Sequence, residues 1–567
     1  MFVAFEGIDG SGKTTVSNLV VADLQKQGLT VKHLRAEGKF VSSVSEAIRS
    51  LARDSRNVDL VPQAEFLLYV ARDVQLIEEA LREALYTHDV VVADRFLYTA
   101  EVLGRFGRGL SVDYMRPILK AAARDLSPDL VVLVDVDPTL ARARRKASKV
   151  GAKEAKPPSR KGLAGVGLQH RVRRGYLTLA EENPQCWVTI KNEGILEDTV
   201  RNVSQLIASA AQKGARSAIA DFRRLASGDA GTPVHEGALT TPEAARDALL
   251  SWIDERAERE PQVAAYVLGG LFGPEIDERR KQLAERVPQV VLSGLSGLVD
   301  DTSWWLRERL MAEYPALVVR SLTGEAGRDP RASLYRDRLH EKAPRETLRT
   351  LVRSDSDEAW ELRDRYYESH SAAVMTSVAG VAAPRADTLR EQWFREHKRQ
   401  LADSYELSRV AARSVHGLDH SLAWKLRDAA RAAAPVASLA SISGLSCERS
   451  WELRDHYLLR ASKVVMQTLR GMRDEHAFRM RAQVAADVKE AIDSIARLDD
   501  DQAWQLRQTY RDVWPSTVVK SLGPLAGGEQ GRALILRQLS RHPNNVSLLK
   551  HVTATLQADQ NDVDLDD

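Results

Sequence analysis

A glycine-rich turn, Gly7-Ile8-Asp9-Gly10-Ser11-Gly12-Lys13-Thr14, constrains this chain more than any other stretch. It fits the pattern G-x-x-x-x-G-K-[ST] in full and stands in the context that the pattern needs. Phe2 to Phe5 is a short apolar run that reads as a strand. Thr15 to Gln27 leaves the turn with helical spacing, placing Val16, Leu19, Val20 and Leu24 on one side. Glycines let backbone N–H groups close around phosphate oxygens where a Cβ atom would intrude. Lys13 is then expected on the β- and γ-phosphates and the Thr14 hydroxyl on Mg²⁺, with the helix N-terminus adding partial positive charge. Gly7, Asp9, Gly10, Ser11, Gly12, Lys13, Thr14 and Thr15 form the candidate cradle for a nucleoside triphosphate.

Strand-like and helix-like segments alternate after this turn. Thr30 to Leu34, Val90 to Ala93, Leu130 to Val134 and Trp187 to Ile190 read as strands, and Val61 to Leu85 as a long helix. Such alternation predicts an α/β fold of the P-loop NTPase kind, with a parallel, doubly wound sheet. Ligands in these sheets sit beyond the carboxyl ends of strands, where Glu6, Arg35, Asp94 and Asp135 fall.

Several segments, taken in order, carry a resemblance. FEGIDGSGKTT, AEFLLYVARDVQ, DRF followed by GRGL, PDLVVLVDVDP and HRVRRGYLTLA resemble the thymidylate kinase family over Met1 to about Ile207. The resemblance implies transfer of the ATP γ-phosphoryl group to a nucleoside monophosphate, dTMP to dTDP being the first candidate. It also implies Mg²⁺, held by Thr14 and Asp94. Lys13, Asp94, Arg95 and Arg145 become the catalytic candidates, Arg145 from a basic lid over Arg142 to Arg160. For the acceptor, the likeness points to Asp9 on the sugar 3′-hydroxyl, Arg35 and Arg95 on its phosphate, and Tyr69, Arg72 and Thr99 around it. The base-reading half departs from the family's pattern. Arg72-Asp73 stands where an acid or asparagine precedes an arginine, which turns the cation about 100° around the helix. Tyr69 replaces a stacking phenylalanine, and Val102-Leu103-Gly104 replaces a segment with a Tyr and a Gln.

Beyond a linker expected at 209–239, a repeat of about 27 residues appears, marked Trp-x-Leu-Arg at Trp304, Trp360, Trp424, Trp451 and Trp504. Weaker copies stand at Leu389-Arg390, Met480-Arg481 and Leu536-Arg537. A second apolar run follows each mark, so one unit reads as a short helical hairpin that buries its faces only against its neighbours. The expectation is an all-α solenoid of HEAT-like style over 240–556. Asp301, Asp355, Asp419 and Asp500 are its expected N-caps, its tryptophans serve as inter-repeat core, and an acidic, disordered tail covers 557–567.

With 567 residues, three or four domains are expected at about 150 residues each. Lys+Arg at 81 against Asp+Glu at 79 gives no general reason to expect nucleic acid. Two distant cysteines, Cys186 and Cys447, build no disulfide framework, which fits the cytoplasm. No run approaches the ~18 apolar residues of a membrane span, and Met1 opens no signal peptide. A competing class is a nucleotide-gated interaction protein, in which the repeats grip a protein partner and the kinase-like part has lost turnover. The sequence leaves open whether two copies form a homodimer.

Overall fold

The computed structural model describes residues 1–150, 160–165, 167–226 and 239–563 and divides the chain into two compact units. In the first, five strands form one sheet: β1 Phe2–Glu6, β2 Val31–His33, β3 Val90–Asp94, β4 Leu130–Asp135 and β5 Trp187–Lys191. Their order is β2-β3-β1-β4-β5 and every pairing is parallel. The central strands are buried throughout, as uninterrupted apolar runs covered by helices on both faces must be. One face packs on Val16, Val20 and Leu24 of the Lys13–Lys26 helix, whereas Leu19 is 43% exposed and belongs to the rim. The other packs on Phe66, Tyr69 and Val70. The expected long helix is Pro62–Leu76, continued by a wider turn at Ile77–Leu81 and by Arg82–Thr87.

The boundary expected at 208 falls later. Leu196–Lys213 and Ala215–Ala226 are helices whose Ala210, Ala218 and Ile219 join the sheet's core. Alanine-rich sequence reads as a linker because single small side chains carry little signal, yet on a helix they permit close packing. Gly228 to Pro233 lies outside the described residues.

The second unit is all helical and consists of hairpins, with outer helices such as Asp301–Leu310 and Ser421–Arg431 and inner ones such as Pro315–Ser321 and Pro435–Ala440. Inner helices pack in sequence order, and the array closes on itself. The last helix, Val546–Val563, packs on Pro515–Leu522 and also on the first helix of this unit, Pro242–Arg259. Lys550 Nζ donates to the Gly269 carbonyl at 2.6 Å, and the Gln557 amide both accepts from Phe272 N–H and donates to its carbonyl. Closure replaces the polar caps that an open solenoid needs. It also corrects the tail: the chain stays helical to Val563 because Gln557 is buried in the seam, and only 564–567 lie outside the described residues.

The repeat arginines are among the most buried side chains. Arg427 is 1% exposed, and it is held by oxygens other than carboxylates. Its Nε donates to Ser441 Oγ at 2.9 Å, and Nη2 to the carbonyls of Val415 and Leu418, both at 2.7 Å. The same spacing recurs at Arg307, Arg363, Arg454, Arg481 and Arg507. Each guanidinium collects carbonyls at the end of the preceding inner helix, where the helix dipole is negative. Burial pulls these arginines down to about 10, so they stay charged at neutral pH. Arg537 differs from the expectation: it is exposed, and Ile535 holds the buried register.

Trp304, Trp360 and Trp424 are 6–7% exposed, as inter-repeat core should be, whereas Trp451 and Trp504 are only half-buried. The caps are partly reassigned. Asp500 caps its helix as expected, but Asp300, Ser356 and His420 cap theirs. Asp355 and Asp419 instead accept the indole N–H of Trp360 and Trp424, both at 2.7 Å. One residue before the cap, a carboxylate reaches the first-turn tryptophan.

The seam carries a pH dependence. Burial, then Lys520, Lys550 and Lys489, push the His551 imidazole from 6.5 down to about 3, with Asp493 opposing. Between those values the unfolded chain binds the proton and the folded chain does not, so stability falls as pH drops from about 6.5 toward 3. Melting temperatures between pH 7.5 and 5 should therefore fall more steeply for the native chain than for His551→Gln. Parallel slopes would contradict a neutral, buried His551.

Candidate active site

The loop between β1 and the Lys13–Lys26 helix has the backbone that its sequence demands. Gly7, Gly10 and Gly12 hold φ of 141°, 92° and 90°. A Cβ on Gly7 would stand 2.4 Å from the Val134 carbonyl oxygen, and one on Gly10 2.4 Å from that of Ala141. Asn192 braces the loop from below through Nδ2 to the Ser11 carbonyl at 2.8 Å. Ser11 Oγ is buried without a partner. Lys13 is 5% exposed and donates to the Ile8 carbonyl at 2.8 Å, an arrangement that an anion in the loop can replace. Burial, then the Arg95 charge, lower the Lys13 ammonium to about 7 against the pull of Asp94, Asp9 and Glu6. Thr15 is exposed on the first helical turn.

Three strand ends deliver the other charged groups. Thr14 Oγ1 donates to Asp94 Oδ2 at 2.7 Å, and Arg35 lies 3.3 Å from the same oxygen. Arg35, then Lys13 and Arg95, together with the Thr14 hydroxyl, outweigh burial and hold the Asp94 carboxyl below its usual range. Asp94 Oδ1 is buried and meets no donor. A threonine hydroxyl beside a carboxylate with an unmatched oxygen fits a hard divalent cation whose other ligands are water and phosphate.

Arg95 is the centre of a second cluster. Its φ of 85° is strained for a side-chain-bearing residue. That backbone turns the guanidinium onto Asp9 Oδ1 at 2.6 Å, the Gly7 carbonyl at 3.1 Å, Thr99 Oγ1 at 3.2 Å and the Tyr176 hydroxyl at 3.1 Å. Glu6 lies beneath, accepting from Phe96 N–H at 2.9 Å and from the Thr99 hydroxyl at 2.8 Å. Burial raises the Glu6 carboxyl, with Arg95 opposing. Arg53 approaches Asp9 at 3.8 Å. On the Pro138–Ala147 helix, Arg145 stands where a Cβ on Gly10 would meet its Cγ, and burial lowers its guanidinium.

The structure thus gathers Asp9, Arg95 and Thr99 into one group and Lys13, Thr14, Asp94 and Arg35 into another beside it. Arg72 corrects the expectation that reversal turns the cation away. Its guanidinium lies 5.1 Å over the Tyr69 ring and 5.4 Å over Phe40, and is held bidentately by Asp73 at 2.7 Å. The neighbouring acid folds back on it, so both side chains share one buried side of the helix. Tyr176, Arg53 and Asn192 were not singled out from the sequence, nor was buried Glu65, held by Arg108 at 2.7 Å and Arg160 at 2.8 Å. Tyr176 and Arg108 lie within HRVRRGYLTLA and GRGL, but nothing in their spacing assigns them contacts. Residues 151–159 of the expected lid lie outside the described residues. Among the described residues no helix is long and apolar enough to cross a membrane.

The thymidylate kinase family model matches residues 5–203. A thymidylate kinase of Chlorobium chlorochromatii is 35% identical over 195 residues, which is 34% of this chain and 86% of the relative. One of Trichlorobacter lovleyi is 37% identical over 193 residues, 34% of this chain and 88% of the relative. A crystal structure of thymidylate kinase from Ehrlichia chaffeensis, 23% identical, aligns with 36% of this chain and 98% of its own, with a TM-score of 0.29. The family model ends at residue 203, so the helical repeats lie outside it.

Proposed function

Because the chain belongs, through residues 5–203, to the thymidylate kinase family, we propose that its first unit passes the γ-phosphoryl group of ATP to a nucleoside monophosphate, dTMP first among them. The observation that carries this reading is Arg95, strained so that its guanidinium lies on two points of the phosphate loop, the Gly7 carbonyl and Asp9. Phosphoryl transfer needs little covalent chemistry from the protein and much positioning and charge neutralisation. Lys13 holds the β- and γ-phosphates of the donor, Arg95 and Arg35 hold the acceptor phosphate, and Arg145 approaches the loop from the far side. Asp9 takes the sugar hydroxyl, and Tyr69 takes the base against its ring. Mg²⁺, when bound, neutralises phosphate charge, and Thr14 with Asp94 fit it. The buried floor of Glu6, Thr99 and Tyr176 keeps Arg95 from swinging out and keeps water from that side. We place the reaction in the cytoplasm.

The acceptor pocket favours weak choice among bases. Arg72 already spends two donors on Asp73, and Val102 and Leu103 are buried apolar groups. A pocket that hydrogen-bonds its substrate can discriminate by ~10⁴-fold and an apolar one by far less. ADP formation from ATP and Mg²⁺ should therefore appear with dTMP, and its kcat/KM should exceed that of dUMP, dCMP or dGMP by well under ~10⁴-fold. A preference at that level would mean that the pocket reads the base through contacts other than these. No ADP with any nucleoside monophosphate would favour the second reading, a nucleotide-gated interaction protein, which draws on the size of the closed helical array.

A further inference from the structure

Each Trp-x-Leu-Arg repeat stacks its own arginine on its tryptophan, with the guanidinium carbon 4.5–4.9 Å from the ring centre. In four of these repeats the following outer helix sends a second partner, arginine in three and histidine in one. Arg331 lies 4.5 Å from the centre of Trp304, Arg385 4.6 Å from Trp360 and Arg449 4.3 Å from Trp424, while the His476 ring stacks on Trp451 at 4.6 Å and 14°. Two guanidiniums this close to one centre repel if they share a face, so each indole is sandwiched. Three of the sandwiches have fixed spacing: tryptophan, an aspartate four residues on, an arginine or histidine twenty-five on. Arg385 pairs with Asp364 at 2.5 Å, Arg449 with Asp428 at 2.8 Å and His476 with Asp455 at 3.3 Å.

At Trp504 both charged positions change. Gln508 replaces the aspartate, and Glu529 stands where the cation belongs. Trp504 keeps Arg507 at 4.9 Å and its N–H bond to Asp499, but among the described residues no second cation stacks on it; it is half-buried, as Trp451 is, where Trp304, Trp360 and Trp424 are nearly covered. In place of the second cation is a cavity of about 400 Å³ between Asp501–Tyr510 and Glu529–Arg541, lined by Trp504, Gln505, Gln508, Gln530, Leu534 and Arg537. In register the carboxylate has moved to Glu529, the first residue of the second helix and the neighbour of the lining residue Gln530, and the positive charge of the other sandwiches is replaced. Arg537 is the one cation in the lining, and it lies in the field of Asp512.

We propose that this groove receives an arginine side chain from another protein, its guanidinium stacked on Trp504 as Arg385 stacks on Trp360, with Glu529 as its carboxylate. Arginine suits the site better than lysine because its planar fork stacks on an indole and bonds a carboxylate and an amide together. Gln505 and Gln530 offer such amides, whereas the Gln508 carbonyl already accepts from Arg511 at 2.6 Å. The repeats themselves supply the template, so the ligand chemistry is that of the chain's own sandwiches.

The test uses the full chain with 5-fluorotryptophan incorporated, the Trp504 resonance being assigned with Trp504→Phe, and acetyl-Gly-Arg-Gly-amide as probe. The Trp504 signal should move saturably with half-saturation of about 1–10 mM, the strength of one partly exposed cation–aromatic contact with a salt bridge. The citrulline peptide, same shape without charge, should bind at least about fivefold more weakly. Glu529→Arg should plug the groove from within, shifting the Trp504 signal without peptide and abolishing the response to it; Glu529→Gln should weaken the response about threefold or more. An unmoved Trp504 signal, equal binding of the citrulline peptide, or an undiminished response in Glu529→Arg would overturn the proposal. Self-association of the native chain that Glu529→Arg dissolves would overturn it too, by making a second copy the occupant.

Discussion

Lys13→Ala is expected to lower kcat by at least ~100-fold, the scale on which removing one preorganised charge from a transition state is felt. Lys13 is the buried cation at the phosphate loop, and its amine lies on the Ile8 carbonyl at the floor of the cradle. No neighbour can replace it. Arg35 is committed to Asp94 and Arg95 to Asp9, and Arg145 approaches on the other side of Gly10. The loss should appear in kcat more than in KM for the acceptor, because the acceptor phosphate is assigned to Arg95 and Arg35. The variant should stay folded: Lys13 is disfavoured by burial, so its removal relieves a desolvation cost. Turnover of ADP measured alongside the melting temperature checks both halves. Near-native turnover in a folded variant would end the phosphoryl-transfer reading of this loop.

The parts of this molecule that were readable from sequence are those in which one residue type has one physical reason to be where it is. Three glycines, a lysine and a threonine at fixed spacing require a phosphate loop, and the apolar runs before Glu6, Asp94 and Asp135 require buried parallel strands. Arg95 could be named from DRF, but not its φ of 85°, which arises from packing Phe96 and Thr99 over Glu6. Tyr176 stayed hidden because a tyrosine in an amphipathic helix reads as core. Its hydroxyl matters only once the helix is laid beside Arg95. In the repeats, tryptophan and leucine announced a core, and the arginine three residues on could be rested on the indole or the next unit but not set among buried carbonyls. A fully buried arginine paired with carbonyls leaves no trace in charge patterning, since its partners are backbone. Ring closure was equally invisible: Gln557 and Lys550 meet Phe272 and Gly269 across almost three hundred residues, and the seam has no motif. The Ala-rich helix at 215–226 read as a linker for a different reason, because its burial depends on the sheet it covers and not on its own periodicity.

The second large effect belongs to those arginines. Arg427→Met keeps most of the side-chain volume but strands the buried Leu418 carbonyl and takes one bond each from the Val415 carbonyl, left with Leu418 N–H, and from Ser441 Oγ, left donating to the Ser438 carbonyl. Each orphaned polar group costs about 1–3 kcal/mol, and breaking a buried charged interaction as a whole costs about 3–5. Trp424→Ala removes a 7% exposed indole and, by the large-to-small rule, should also cost about 3–5 kcal/mol. The indole leaves a cavity that its neighbours can partly close, while three guanidinium bonds are lost together at the end of a short helix. Arg427→Met should therefore be at least as severe as Trp424→Ala, although an arginine in a helical face is ordinarily the more expendable residue. Nine of the ten tryptophans lie beyond residue 239, so tryptophan fluorescence during urea or thermal unfolding reports this unit. Its midpoint should fall by roughly 6–20 °C in Arg427→Met, using about 2–4 °C per kcal/mol for a unit of this size. Lys425→Ala, on the exposed side of the same helix, should move it by little, as surface substitutions stay within about 0.5 kcal/mol. Equal, small shifts in Arg427→Met and Lys425→Ala would show that the carbonyls find water when the arginine leaves. The repeats would then be held by their apolar faces alone, and the arginine ladder would have to be read as a requirement for solubility or folding rate rather than for stability.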